Sequence, residues 1–78
     1  MPTVFYEKGY QFFFVSSDSG EPIHIHVTKN GHLCKIWLTA MKIAYNHGFK
    51  AHEMAETIRL VRIHRAMIED RWNEHFTK

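Results

Sequence analysis

The chain of 78 residues leaves room for one domain with one hydrophobic core. A hydrophobic content of 45% argues against a disordered chain, but a domain this short usually needs a disulfide, a metal or a partner subunit for stability. The formal net charge of +2 is too small to indicate nucleic-acid binding by itself. The seven histidines are more unusual, because protonation of some of them would make the surface more basic.

Cysteine content and hydropathy predict the cellular compartment of the protein. Cys34 is the only cysteine, so an internal disulfide is impossible and a reducing compartment is expected. Met1-Pro2-Thr3-Val4 lacks the basic and apolar regions of a signal peptide, and no apolar run is long enough to span a bilayer. We therefore expect a cytoplasmic protein without membrane contact. No motif calls for a cofactor, and none is expected.

The first half of the chain predicts antiparallel strands. A short strand is expected at Thr3-Val4-Phe5, followed by a turn around Gly9 and an aromatic strand over residues 10–15. Both faces of the aromatic strand are mostly apolar, which predicts a central strand or one that a partner covers. Residues 16–22 have the composition of a loop.

Two alternating segments, residues 23–28 and 33–38, flank Asn30-Gly31, which is typical of a two-residue hairpin turn. This turn predicts a register with His24 opposite Trp37 and with His26 opposite Lys35. The core face then carries Ile23, Ile25, Val27, Cys34, Ile36 and Leu38. The other face, expected to be hydrated, carries His24, His26, Thr28, Leu33, Lys35 and Trp37.

The segment of residues 39–48 leaves two alternatives open. Alternation of Met41, Ile43 and Tyr45 favours a fifth strand, whereas the spacing of Ala40, Ile43, Ala44 and His47 suits a short helix that ends at Gly48. We favour the strand.

The rest of the chain, from Ala51 to about Phe76, has helical periodicity, with Ile58, Val61, Ile68 and Trp72 expected on the sheet and a gap in the stripe at Arg65. We therefore predict an α+β fold, an antiparallel sheet of four or five strands with one long C-terminal helix packed on one face. We expect the chain to form one domain, mainly sheet over residues 1–49 and helix over residues 50–78.

The Pro22-x-His24-x-His26 segment is the main chemical candidate. A strand places both imidazoles on one side, where they suit general acid–base chemistry on a phosphodiester or metal ligation. Lys35 could hold a phosphate and Trp37 could stack on a base. No third ligand is apparent, so no metal site is predicted. The alternative is that the two histidines only decorate a hydrated surface.

A second candidate is the basic edge of the helix, formed by Arg59, Arg62 and Arg65. It could contact phosphate or an acidic partner, and the alternative is an ordinary solvated face. Cys34 is expected in the core, so it is not proposed as a nucleophile.

The pattern resembles a family of short bacterial proteins of unknown function. The shared segments are Met1-Pro2, the aromatic strand after Gly9, Pro22-x-His24-x-His26, Lys35-x-Trp37-Leu38, Asn46-x-Gly48-Phe49 and Trp72-Asn73. One departure is Lys50, where members more often have Ser or another good N-cap residue. The resemblance covers nearly the whole chain.

In that family the gene often lies beside the gene of a second small protein. The resemblance thus implies the toxin of a two-gene toxin–antitoxin module, with a cognate antitoxin as its partner. From the histidine pair we expect action on RNA as a ribonuclease. The competing hypothesis is a non-enzymatic module that docks a partner protein or DNA within a repressor complex.

Overall fold

The computed structural model describes residues 3–15 and 20–76. Its elements are β1 (Thr3–Glu7), β2 (Tyr10–Phe13), β3 (His24–Lys29), β4 (His32–Trp37), β5 (Lys42–His47), α1 (Ala51–Ile63) and α2 (Arg65–Phe76). The strands form one antiparallel sheet of five strands in the order β1-β2-β3-β4-β5. The α+β prediction is therefore confirmed, and residues 42–47 are a strand. Residues 16–19, most of the predicted loop, and the terminal pairs 1–2 and 77–78 lie outside the described residues.

Two tight turns set the register of β1 with β2 and of β3 with β4. Asn30 and Gly31 have φ values of 52° and 80°, and Lys8 and Gly9 have 54° and 83°, the left-handed conformations of a two-residue hairpin. His24 lies opposite Trp37 and His26 opposite Lys35, so the predicted register is confirmed.

A third turn links the sheet to the helices. The side chain of Asn46 accepts a hydrogen bond from the Phe49 N–H and donates one to the Phe49 carbonyl, each at 2.9 Å. Gly48 has φ of 109°, and a Cβ atom there would lie 2.0 Å from Nδ1 of His32. The Asn-x-Gly-Phe segment thus has a structural role, because it orients the chain into α1.

The core lies between the helices and one sheet face. Its buried side chains include Phe12, Ile25, Val27, Cys34, Ile36, Leu38, Leu60, Val61, Ile68 and Trp72. Val61, Ile68 and Trp72 are buried as expected, and Ile58 is partly buried against the core. Burial raises the pKa of the Cys34 thiol to about 12, so the thiol stays protonated at neutral pH.

The prediction of one long helix is wrong, because the helical segment breaks at His64, where φ is −98° and ψ is 14°. A straight helix over residues 51–76 would be about 39 Å long, longer than the 36 Å longest dimension of the molecule. The break brings both halves onto the sheet. The imidazole of His64 donates to the Glu7 carboxylate of β1 at 2.8 Å and packs on Phe5. No helix among the described residues is long and apolar enough to cross a membrane.

Candidate functional site

The sheet face opposite the helices is here called the open face. Four of its side chains occupy directly opposite positions on four neighbouring strands, because Phe13 pairs with His26, His26 with Lys35, and Lys35 with Tyr45. Directly opposite residues point to the same side of a sheet. These four residues, Phe13, His26, Lys35 and Tyr45, are called the central row. They gather two aromatic rings, an imidazole and an ammonium group within one line across the sheet.

His26 is the middle of this arrangement. Its ring is stacked on Phe13, with centroids 5.4 Å apart and planes at 20°. The hydroxyl oxygen of Tyr45 lies 3.4 Å from Nδ1 of His26. Neighbouring side chains leave the residue only 7% exposed. The ring is therefore held in one place and retains a small accessible surface.

The expectation that both histidines face solvent is wrong, because His26 is only 7% exposed and His24 is 0% exposed. β2 ends at Phe13, so no residue of β2 pairs with His24. The Trp72 ring of α2 reaches the imidazole instead, at a centroid distance of 5.2 Å, and Trp37 lies at 5.3 Å on β4. A side chain without exposed surface does not touch a substrate in this conformation.

His24 instead holds its neighbours in place. Its Nδ1 lies 2.8 Å from the Pro22 carbonyl oxygen, which only accepts hydrogen bonds, so the proton is on Nδ1. The imidazole is edge-on to His26, with ring centroids 5.1 Å apart. His24 therefore joins three segments of the resemblance in one cluster at the end of the sheet. These are Pro22-x-His24-x-His26, Trp37 and Trp72.

Lys35 and Trp37 lie on the open face, but their functional groups contact each other. The Lys35 ammonium pairs with the Glu21 carboxylate and lies 4.4 Å from the centroid of the Trp37 ring. The charge expected to hold a phosphate is thus partly neutralised in this conformation. The Trp37 ring also has less free surface for stacking than the sequence suggested.

A groove runs along the open face beside the central row, with a volume of about 440 Å³. Its lining includes Gln11, Phe13, His26, Thr28, Leu33 and Tyr45. The sequence analysis did not select Tyr45 or Gln11. The alternation of Met41, Ile43 and Tyr45 could have placed Tyr45 on a sheet face. It would do so only if this segment is a strand, and the pairing of that strand was not predicted. Nothing in the sequence singled out Gln11.

The basic edge is on the other side of the sheet. Arg59 and Arg62 are exposed on α1, and neither forms an ion pair with a described residue. Arg65 is different, because its Nε donates to the Glu69 carboxylate at 3.1 Å. Arg65 is thus paired within α2, whereas Arg59 and Arg62 project from α1 without such a partner among the described residues. Within residues 3–15 and 20–76, no group of three or more His, Cys, Asp and Glu side chains could hold a metal ion.

Comparison of the sequence with known families gives a match. The sequence profile described as "Domain of unknown function (DUF4160)" matches residues 9–73. No curated protein and no solved structure gives a significant match. The matched region contains all of the central row and both helices up to Trp72 and Asn73. The chain therefore belongs to the DUF4160 family.

Proposed function

We propose that this protein is the growth-inhibiting member of a bacterial toxin–antitoxin pair and that it cleaves RNA through its open face. The observation that carries the RNA-directed part is the central row, where the His26 imidazole and the Tyr45 hydroxyl lie 3.4 Å apart beside an open groove. The toxin assignment is supported by the sequence resemblance. The antitoxin would be the product of the neighbouring gene.

The chemistry proposed is a transesterification within RNA. His26 accepts the proton of a ribose 2′-hydroxyl while that oxygen forms a bond to the adjacent phosphorus. The bond between phosphorus and the 5′-oxygen breaks, and Tyr45 donates a proton to the leaving oxygen. The proton then passes from His26 back to Tyr45, which restores both groups. Lys35 lies on β4, between His26 on β3 and Tyr45 on β5. Its ammonium group would stabilise the phosphate once the ion pair with Glu21 is broken.

The test is growth after induction of the protein, with and without the neighbouring gene product. We expect His26→Asn and Tyr45→Phe each to relieve inhibition, because each removes one proton-transfer group. His47→Asn is the matched control, since His47 is exposed on β5 next to Tyr45 but outside the groove. Circular dichroism melts would show that the variants fold. Full inhibition by both central-row variants would refute the proposal.

RNA from induced cells provides a second readout. Transesterification leaves 2′,3′-cyclic phosphate ends, and these should appear with the native protein and disappear with His26→Asn. Growth inhibition without new RNA ends would leave a toxin with another target and would contradict the RNA-directed part.

The second candidate is a non-enzymatic docking module that binds its partner through the open face. The observation that favours it is the low exposure of His26 and Phe13, combined with a Tyr6 side chain on β1 that lies opposite Gln11 and is 70% exposed. Tyr6→Ser should then abolish capture of the neighbouring gene product while His26→Asn leaves it intact. If the protein is instead a catalytic toxin, His26→Asn should relieve growth inhibition and Tyr6→Ser should leave it unchanged.

A further inference from the structure

We propose that the groove beside the central row binds one unpaired nucleobase, so that the substrate is single-stranded RNA. This inference rests on the proposed function and names its substrate class. The groove volume of about 440 Å³ falls in the range of small-ligand sites. Bases that are splayed out of a single strand are commonly bound by stacking on aromatic rings.

The walls of the groove suit the faces of a base. Phe13 and His26 stack on each other at 5.4 Å and are only 5% and 7% exposed, so they form a rigid wall, and the partly exposed Tyr45 ring lies next to His26. Leu33 adds apolar surface to the lining. These side chains belong to four neighbouring strands, so the sheet hydrogen bonds hold the walls at fixed spacing. A planar aromatic ligand therefore finds a preorganised apolar wall with the Tyr45 ring beside it.

Two polar side chains in the groove suit the edge of a base. Gln11 and Thr28 lie directly opposite each other on β2 and β3. The Thr28 hydroxyl donates to the His32 carbonyl at 2.8 Å, which leaves its oxygen as an acceptor. One N–H of the Gln11 amide donates to Thr3 at 2.8 Å, which leaves the second N–H and the carbonyl oxygen. The groove thus offers both donors and acceptors, as a base edge requires.

The same geometry argues against a double helix. In a duplex the base edges are paired and the base faces are stacked, so neither is available to a groove lined by rings and amide groups. Lys42 supplies the complementary charge for a backbone, because it is exposed on β5 opposite Trp37 and forms no ion pair with a described residue. A strand with its base in the groove would carry its phosphates past β5.

The experiment measures binding by fluorescence anisotropy, with labelled 2′-O-methyl RNA oligonucleotides that lack the attacking hydroxyl. The full-length protein is titrated with one oligonucleotide as a single strand and as a duplex. We expect the single strand to bind at least about tenfold more tightly. Gln11→Leu and Thr28→Val should each weaken single-strand binding about 2–10-fold, since each removes hydrogen bonds to the base. Thr39→Val is the matched control, because Thr39 is exposed in the turn after β4.

The outcomes separate this inference from the proposed function. Equal binding of single strand and duplex, or unchanged binding by both groove variants, would overturn the base site and leave the catalytic proposal standing if His26→Asn still abolishes cleavage. Absence of binding together with absence of cleavage would overturn both.

Discussion

The imidazole of His24 in β3 is edge-on to the indole of Trp72 in α2, with ring centroids 5.2 Å apart and planes at 65°. Trp72 also contacts Phe14 at 5.3 Å, so one ring links the end of the sheet to the core. Through the edge-on contact between His24 and His26, the last helix supports the open face. The relationship connects the stability of α2 to the geometry of the candidate site.

Trp72→Ala should lower the free energy of unfolding by about 3–5 kcal/mol, because it removes a large ring that is only 8% exposed. Urea denaturation followed by circular dichroism measures the change. Arg71→Ala is the control, since Arg71 is exposed and its replacement should alter stability by less than about 0.5 kcal/mol. A cost under about 1 kcal/mol for Trp72→Ala would show that the ring is not part of the core.

His24→Ala should lower the free energy of unfolding by about 2–4 kcal/mol. The variant leaves a cavity among three rings and removes the donor to the Pro22 carbonyl, which His24 approaches at 2.8 Å. The melting temperatures of His24→Ala and of the control His47→Ala are compared with that of the native protein. His47 is an exposed histidine on the same face. If His24→Ala melts with the native protein, the burial described for His24 is wrong.

The sequence predicted the strands well because their signals are local. The Asn30-Gly31 turn fixes the pairing of β3 with β4, and alternation on both sides identifies the two faces. The burial of His24 was not predictable in the same way, because it depends on where β2 ends and on Trp72 arriving from a distant helix. Alternation reports which face a residue occupies, but it does not report what covers that face.

The break at His64 was missed for a related reason. The apolar stripe continues with only one gap, at Arg65, so periodicity alone favours one continuous helix. The break coincides with the contact between His64 and Glu7 of β1, which is distant in sequence and leaves no mark on the helical periodicity. The sequence also predicted that His26 and Lys35 are opposite each other, because both belong to one hairpin. It did not predict that Tyr45 pairs with Lys35, because no tight turn fixes the register of β5.

Gly48→Ala should destabilise the protein by about 1–3 kcal/mol, because its φ of 109° is unfavourable for any residue with a Cβ atom. The new atom would also collide with the His32 ring. The double variant with His32→Ala should recover part of the loss, since it relieves the collision but not the backbone strain. Gly20→Ala is the control, because a Cβ atom there meets nothing within 4 Å. Equal stability of the Gly48→Ala and Gly20→Ala proteins would contradict this interpretation.

Glu53 should contribute stability that depends on pH. Its carboxylate accepts a hydrogen bond from the Lys50 N–H at 2.9 Å at the start of α1, and this bond lowers the pKa of Glu53. Because the folded-state pKa lies below the unfolded one, the contribution is present above the ordinary Glu pKa and is lost as the pH falls through the folded-state value.

Melting temperatures of the native protein and Glu53→Gln between about pH 7 and pH 3 test this expectation. The two proteins should differ most near neutral pH and converge in acid. Glu74→Gln is a control at an exposed position of α2 that forms no ion pair with a described residue. A difference for Glu53→Gln that stays constant with pH would show that the carboxylate charge does not stabilise α1.

The most direct test of the central claim is titration of the isotopically labelled protein with a short single-stranded 2′-O-methyl RNA, followed by NMR chemical shifts of the backbone amides. The account predicts that the largest changes fall on the strands of the open face, around Gln11, His26 and Tyr45. Arg59 and Arg62 on α1 should change little, because α1 covers the opposite face of the sheet. Changes confined to Arg59 and Arg62, or no changes at any concentration, would contradict an RNA site on the open face.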